Sequence, residues 1–276
     1  MNESVLCGIC PKACVIPEGS RGFCGGRGNR GGEIIAENYG KITSLALDPI
    51  EKKPLNRFHP GSYILSVGSY GCNLRCPFCQ NYSISMEYKP AKYVGLTPQE
   101  LTAKAVELVP EGNIGIAYTY NEPLIGYEYV RDCAGLLAEK GLKNVVVTNG
   151  YINEKPLLEL LPLIDAFNID LKSFSPAFYK GVGGDLEIVK NSIKLAAARS
   201  HVEVTTLVIA GENDSEEEMK ELCSWLSSVD PAIPLHISRF FPAYKLSDRR
   251  ATPKSTILKL ADIAREYLQY VYEGNI

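Results

Sequence analysis

Tyr63-Ile-Leu-Ser-Val-Gly-Ser-Tyr-Gly-Cys72-Asn-Leu-Arg-Cys76-Pro-Phe-Cys79 joins a short apolar run to three cysteines spaced C-x3-C-x2-C. The run Tyr63–Val67 predicts a strand, and the cysteines follow where it ends. They put three thiolates in one loop with no fourth cysteine beside them. Closed structural zinc sites take four protein ligands. Iron–sulfur clusters are held by thiolates, and a cubane has four irons. Three ligands then leave one iron open, and an open metal position serves chemistry rather than bracing.

Downstream of this loop, apolar runs alternate with helical patterns. Strands are predicted at Ile114–Tyr118, Val145–Thr148, Ala166–Asp170, Val202–Ile209, Leu235–Ile237 and Tyr270–Tyr272. Between them, helices are predicted over Thr97–Val109, Pro123–Lys140 (ended by Gly141), Glu154–Leu161, Leu186–Ala198, Ser215–Ser227 and Thr256–Leu268. Thr97, Pro98 and Glu100 form a capping box with proline at the first helical position. Asp214 is expected to cap the 215–227 helix, and Ser255 or Thr252 the last one. Such alternation implies a parallel sheet with helical crossovers: an α/β fold, either a full or partial (β/α) barrel or a doubly wound sheet. In barrels the functional residues follow the C-terminal strand ends. The polar motifs do so here: Thr119-Tyr-Asn121-Glu122-Pro, Thr148-Asn149-Gly150, Asp170-Leu-Lys172, Ala210-Gly-Glu-Asn-Asp214 and Ser238-Arg239.

The 276 residues suit one barrel-sized domain with a small appendage. Hydrophobic residues at 45% and charged residues at 22% describe a globular chain, and a net charge of -3 makes a nucleic-acid partner unlikely. No stretch reaches transmembrane length, so no membrane role is expected. Met1–Cys7 lacks the basic and apolar regions of a signal peptide, so a cytoplasmic location is expected. Seven of the nine cysteines precede residue 80, in two groups, which favours metal sites over a disulfide framework. The upstream group, Cys7-x2-Cys10-x3-Cys14-x9-Cys24, offers four ligands in a Gly- and Pro-containing stretch that cannot build a core. Zinc, or a second iron–sulfur cluster, fits it. Its spacing differs from the ferredoxin run, which favours zinc, and free thiols or disulfides are the alternative. Cys133 and Cys223 fall in helical patterns and read as small buried hydrophobes. Glu33–Tyr39 and Ile42–Leu47 read as a hairpin around Tyr39-Gly-Lys41, followed by a Pro-rich connector over 48–61. The expected division is a Cys-rich metal-binding extension, residues 1–61, and a barrel core, residues 62–276.

Cys72-x3-Cys76-x2-Cys79, with Phe78 before the last cysteine, resembles the cluster motif of the radical S-adenosylmethionine (SAM) superfamily. The flanking Asp48-Pro-Ile-Glu-Lys-Lys-Pro-Leu, Gly71-Cys-Asn-Leu, Phe78-Cys-Gln-Asn81, Thr119-Tyr-Asn-Glu-Pro123, Thr148-Asn-Gly150 and Asp170-Leu-Lys172 resemble its pyruvate formate-lyase-activating-enzyme-like branch. Within that branch they resemble the AmmeMemoRadiSam-type subgroup. The resemblance implies a radical SAM barrel in which Cys72, Cys76 and Cys79 bind a [4Fe-4S] cluster whose fourth iron is chelated by SAM. Reductive cleavage then gives a 5′-deoxyadenosyl radical that abstracts hydrogen from a substrate, and a flavodoxin- or ferredoxin-type protein donates the electron.

Further roles follow from the same resemblance. Glu122 and Asn121 are expected to hold the methionyl group of SAM, with Thr148, Asn149, Asp170 and His236 also on the cofactor side and Lys172 near substrate. Capping of the next helix by Asn121 and a rim ion pair of Asp170 with Lys172 are the plain alternatives. Two positions depart from the pattern: Val147 stands where relatives carry a second Asp for a monovalent cation, and Thr205 where some carry Arg. Relatives of this subgroup continue past Tyr-x-Tyr-x-Gly-Asn into a tail with another C-x2-C pair. Arg239 and Tyr244 are expected on the substrate side, whereas His59 and His201 receive no role. The substrate is a glycyl-radical partner protein or, alternatively, a small molecule, peptide or RNA. A zinc-knuckle binding module is the reading from a different class.

Overall fold

The computed structural model describes residues 4–86 and 92–276. Its main sheet has eight strands: β1 (Ser44–Pro49), β2 (Tyr63–Gly68), β3 (Asn113–Tyr118), β4 (Lys143–Thr148), β5 (Ala166–Asp170), β6 (His201–Val208), β7 (Leu235–Arg239) and β8 (Val271–Gly274). They lie side by side in chain order. Every pair is parallel except β1 with β2. The crossovers carry α1 (Pro98–Glu107), α2 (Tyr127–Glu139), α3 (Glu154–Leu160), α4 (Pro176–Val182), α5 (Leu186–Ala197), α6 (Glu216–Val229) and α7 (Lys254–Arg265). Sequential order with crossovers of one hand keeps the helices on one face, so the sheet curls around the other. Among the described residues β1 and β8 do not pair, and the barrel is partial.

Strand alternation assigns the two faces. Phe167 and Ile169 of β5 join the large core under the helices. Ala166 joins a second cluster with Ile50, Leu55, Ile64, Ala117 and Val145. Ile50 and Leu55 come from the Pro-rich connector, which therefore plugs the N-terminal end of the barrel interior, both side chains being fully buried. At the opposite end the interior opens.

The N-terminal segment differs from expectation. Glu33–Ala36 pairs with Arg27–Arg30, joined by Gly31-Gly32 with φ of 64° and 79°. Two positive φ values suit the two-residue turn that matches strand twist, and Gly-Gly adopts it freely. The partner expected for it, around Ile42–Leu47, instead enters the main sheet as β1, which places the sheet's edge strand ahead of residue 61. Two caps also differ: Ser215, not Asp214, accepts the Glu218 amide at 3.2 Å. Pro253 precedes α7 with no side-chain cap, because the Thr252 hydroxyl is buried and donates to the Val208 carbonyl at 2.7 Å. The Thr97 capping box forms as expected, with Glu100 accepting the Thr97 amide at 2.8 Å.

Candidate active site

The open end of the barrel holds a cleft of about 280 Å³ lined by Cys72, Cys76 and Cys79 together with Glu122, Asp170 and Lys172. The loop after β2 carries the cysteines. Asn121 pins that loop: its Oδ1 accepts the Ser69 amide at 2.9 Å and its Nδ2 donates to the Gly71 carbonyl at 3.1 Å. Asn121 lines the cleft, but both ends of its amide are committed to the loop, which makes it a positioning residue rather than a free cofactor donor.

Glu122 follows β3 and is 3% exposed. It accepts the Thr148 hydroxyl at 2.7 Å, the Asn149 amide at 2.8 Å and the Leu124 amide at 3.0 Å. Burial outweighs these bonds, Asp170 adds to it, and the carboxyl is pushed up to about 7. Its donors are neutral, so its charge lacks a cation.

Thr148 and Asn149 act at one remove. Thr148 spends its hydroxyl proton on Glu122 and accepts the Gly150 amide at 3.0 Å. Asn149 Nδ2 stands 3.6 Å from Cys72 Sγ and donates to Asn73 Oδ1 at 2.9 Å. A second N–H, from Leu74, reaches the same sulfur at 3.4 Å. Burial pushes the Cys72 thiol well up, and Cys76 to about 11, with Lys172 acting in the opposite sense at Cys76. Lys172 Nζ pairs with Asp170 Oδ2 at 3.0 Å. Burial opposes the lysine's charge, but Asp170 and Cys76 hold its pKa above the ordinary value.

His236 is not in this cleft. It is the second residue of β7, and its Nε2 donates to Glu203 Oε2 at 2.6 Å while its ring stacks on Tyr272 at 5.2 Å. Ser238, two residues on and on the same face, does line the cleft. Two residues are about 6.6 Å along a strand, enough to separate the barrel's base from its mouth. Arg239 also lies elsewhere, its Nε donating to the Thr252 carbonyl at 2.6 Å. Tyr244 stacks on Tyr82 at 4.6 Å, on the short helix Tyr82–Ser85 that follows the cysteine loop. Val147 and Thr205 line the cleft as a methyl-bearing wall and a hydroxyl. The buried thiols of Cys133 and Cys223 belong to the large core.

Sequence reading passed over Asn73 and Asn213. Asn213 Nδ2 donates to the Lys172 carbonyl at 2.8 Å and its Oδ1 accepts the Ile209 amide at 2.7 Å, so it fixes the backbone that carries the lysine. The Gly-Glu-Asn-Asp motif after β6 was its signal.

The thiols suit an iron–sulfur group: three soft donors from one loop, N–H groups aimed at Cys72, and a cation beside Cys76. Among the described residues no three His, Cys, Asp or Glu side chains close into a preformed metal cage. In both cysteine groups the thiols face a shared space instead. No described helix is long and apolar enough to cross a membrane.

The Radical SAM superfamily model matches residues 66–225. Over 280 aligned residues, covering all of this chain and 82% of the other, the sequence is 41% identical to the uncharacterized protein MJ0808 of Methanocaldococcus jannaschii. It is 29% identical to the mitochondrial GTP 3′,8-cyclase of Arabidopsis thaliana over 62% of this chain, but spans only 44% of that protein. Among solved structures, a radical SAM methyltransferase from Sphaerobacter thermophilus superposes with a TM-score of 0.59 at 16% identity, covering 78% of this chain and 67% of that one. A domain of pyruvate-formate lyase-activating enzyme from Bacteroides vulgatus gives 0.50 at 20% identity, covering 58% of this chain and 98% of the domain.

Proposed function

Because this chain belongs to the radical SAM superfamily, we propose that it cleaves SAM reductively at a [4Fe-4S] cluster held by Cys72, Cys76 and Cys79, in the manner of glycyl-radical-enzyme activating enzymes. The observation that carries this reading is the convergence of the three cysteines with Glu122, Asp170 and Lys172 on one cleft at the barrel mouth. When bound, the cofactors supply one-electron cleavage of a sulfonium to a 5′-deoxyadenosyl radical that takes hydrogen from substrate.

The chain's own residues bind and orient. Glu122 is a buried acid with neutral donors, and among the described residues Oε2 accepts one bond, from Asn149. An ammonium satisfies both deficits, so Glu122 receives the amino group of SAM. Asp170 stands across the cleft, paired with Lys172, which faces the cysteines and the substrate. Asn149 and Leu74 donate to the Cys72 sulfur, and such hydrogen bonds tune cluster potential. The connector plug beneath keeps water from entering through the base. An external flavodoxin- or ferredoxin-type protein donates the electron.

A glycyl-radical protein as substrate is supported by the open seam between β1 and β8, through which a loop can enter. Similarity to GTP 3′,8-cyclase favours a second reading, direct modification of a small molecule. Membership in an enzymatic superfamily sets aside the zinc-knuckle binding module. The test is anaerobic reconstitution, chemical reduction and assay for 5′-deoxyadenosine. Absence of cleavage by a fully loaded cluster overturns the proposal. Release stimulated by GTP or another small molecule, with no glycyl-radical partner co-purifying, favours the second reading.

A further inference from the structure

Cys7, Cys10, Cys14 and Cys24 line one cavity of about 10 Å³. Local geometry brings them there. Val5–Leu6 and Val15–Ile16 pair antiparallel, and the Cys7 amide donates to the Cys14 carbonyl at 2.9 Å. A second tight turn, with the Gly25 amide on the Gly22 carbonyl at 3.0 Å, delivers Cys24. This segment has little apolar core of its own, yet three of the four thiols are buried.

Arg27 supplies an independent sign. It lines the same cavity and is 3% exposed. Its Nη1 pairs with Glu128 at 2.6 Å, but its Nε has no hydrogen-bond partner among the described residues. An unsatisfied buried donor is costly, and anionic sulfur is an acceptor for it. The room available matches about one water-sized sphere, which suits a single ion. Four soft thiolates around one ion suit tetrahedral zinc.

This cavity touches the reactive loop. The Cys72 amide donates to the Cys24 carbonyl at 3.2 Å. Gly71 has φ of 89°, and a Cβ there would lie 2.5 Å from that same carbonyl. The Arg75 guanidinium lies 4.0 Å over the Phe23 ring. Asn73 bridges the two cysteine groups: it lines the cavity of Cys7, Cys10, Cys14 and Cys24, its Nδ2 donates to the Tyr151 carbonyl at 2.6 Å, and its Oδ1 accepts from Asn149, which also donates to Cys72 Sγ.

We propose that Cys7, Cys10, Cys14 and Cys24 bind one zinc ion, and that this ion holds the Cys72–Cys79 loop in place through Asn73 and the Cys24 carbonyl. The proposal stands apart from the reaction proposed above, since neither part of it requires SAM cleavage. The full chain is purified without chelators, as the wild type and as the triple variant Cys72→Ala/Cys76→Ala/Cys79→Ala, and metals are counted by mass spectrometry. About one zinc per chain is expected in both, with sulfur-only zinc-edge absorption, and no iron in the triple variant. Iron retained by the triple variant, or zinc absent from both proteins, overturns the zinc site. Amide hydrogen exchange then tests the coupling. Stripping zinc is expected to speed exchange over 70–76 about tenfold while β5 stays protected. Asn73→Ala should keep its zinc and show the same local loosening. Unchanged exchange over 70–76 in both samples, or uniform loosening of the whole chain, overturns the coupling.

Discussion

Two buried glutamates at opposite ends of the barrel have opposite electrostatic fates. At the mouth, Glu122 accepts three neutral donors and is pushed up to about 7 by burial, with Asp170 adding to the rise. At the base, Glu203 accepts the Asn56 and Arg57 amides at 3.0 and 2.7 Å, and both His201 and His236 at 2.9 and 2.6 Å. Burial again favours the neutral acid, but these donors overcome it and hold Glu203 down at about 2. The base acid is fully satisfied by its own protein, which suits a structural role. The mouth acid is left wanting a cation, which suits a binding role.

The largest effect expected at the mouth is from Cys76→Ala. It should abolish the brown chromophore and SAM cleavage while leaving the melting temperature of the cofactor-free protein within a few degrees. A large loss of that stability would mean that the mouth, too, is structural. At the base, Leu55→Ala removes a fully buried plug residue and should cost about 3 kcal/mol in denaturant unfolding. A cost below about 1 kcal/mol would show that the connector is not a true core element.

The two acids predict pH dependences of opposite sign. Glu203 lies below its ordinary 4.5 when folded, so its contribution is present above pH 4.5 and is lost as pH falls toward 2. Up to about 3 kcal/mol is at stake, and Glu203→Gln should flatten that acid limb. Glu122 lies above its ordinary 4.5, so cofactor-free stability should fall as pH rises from 4.5 through 7. Glu122→Gln should remove this slope. The slope is the measure, because the glutamine nitrogen meets the Asn149 amide or the Thr148 hydroxyl and shifts absolute stability as well. The same variant should weaken SAM binding by about 10- to 100-fold in calorimetry, the value of a charge-assisted bond. Equal affinity would place the ammonium elsewhere. The smallest change, about 1 kcal/mol, is expected from Thr97→Ala, which opens a capping box far from both acids.

Much of the site was legible because it is local. Cys72, Cys76 and Cys79 share one loop, and Glu122, Asp170 and Lys172 follow strands whose apolar runs are plain in the chain. Asn121 and Thr148 were named too, but as cofactor contacts, whereas their hydrogen bonds serve the loop and Glu122. His236 was placed on the correct strand and at the wrong level of it. Asn73 sits inside the Cys72–Cys79 motif and carries no chemical signal of its own. Its importance lies in lining the cavity of the upstream cysteines while bonding to Asn149.

The sequence by itself determined the strand–helix alternation, the cysteine groups and the strand-end acids, because periodicity and short spacing are local properties. Tertiary structure alone decided that the Pro-rich connector plugs the base, that Ser44–Pro49 leaves its hairpin for the main sheet, and that donors hold Glu203 ionised while burial pushes Glu122 toward its neutral form. These outcomes depend on register and on groups brought together from distant parts of the chain. A carboxylate's character is set by the donors and charges that folding places around it.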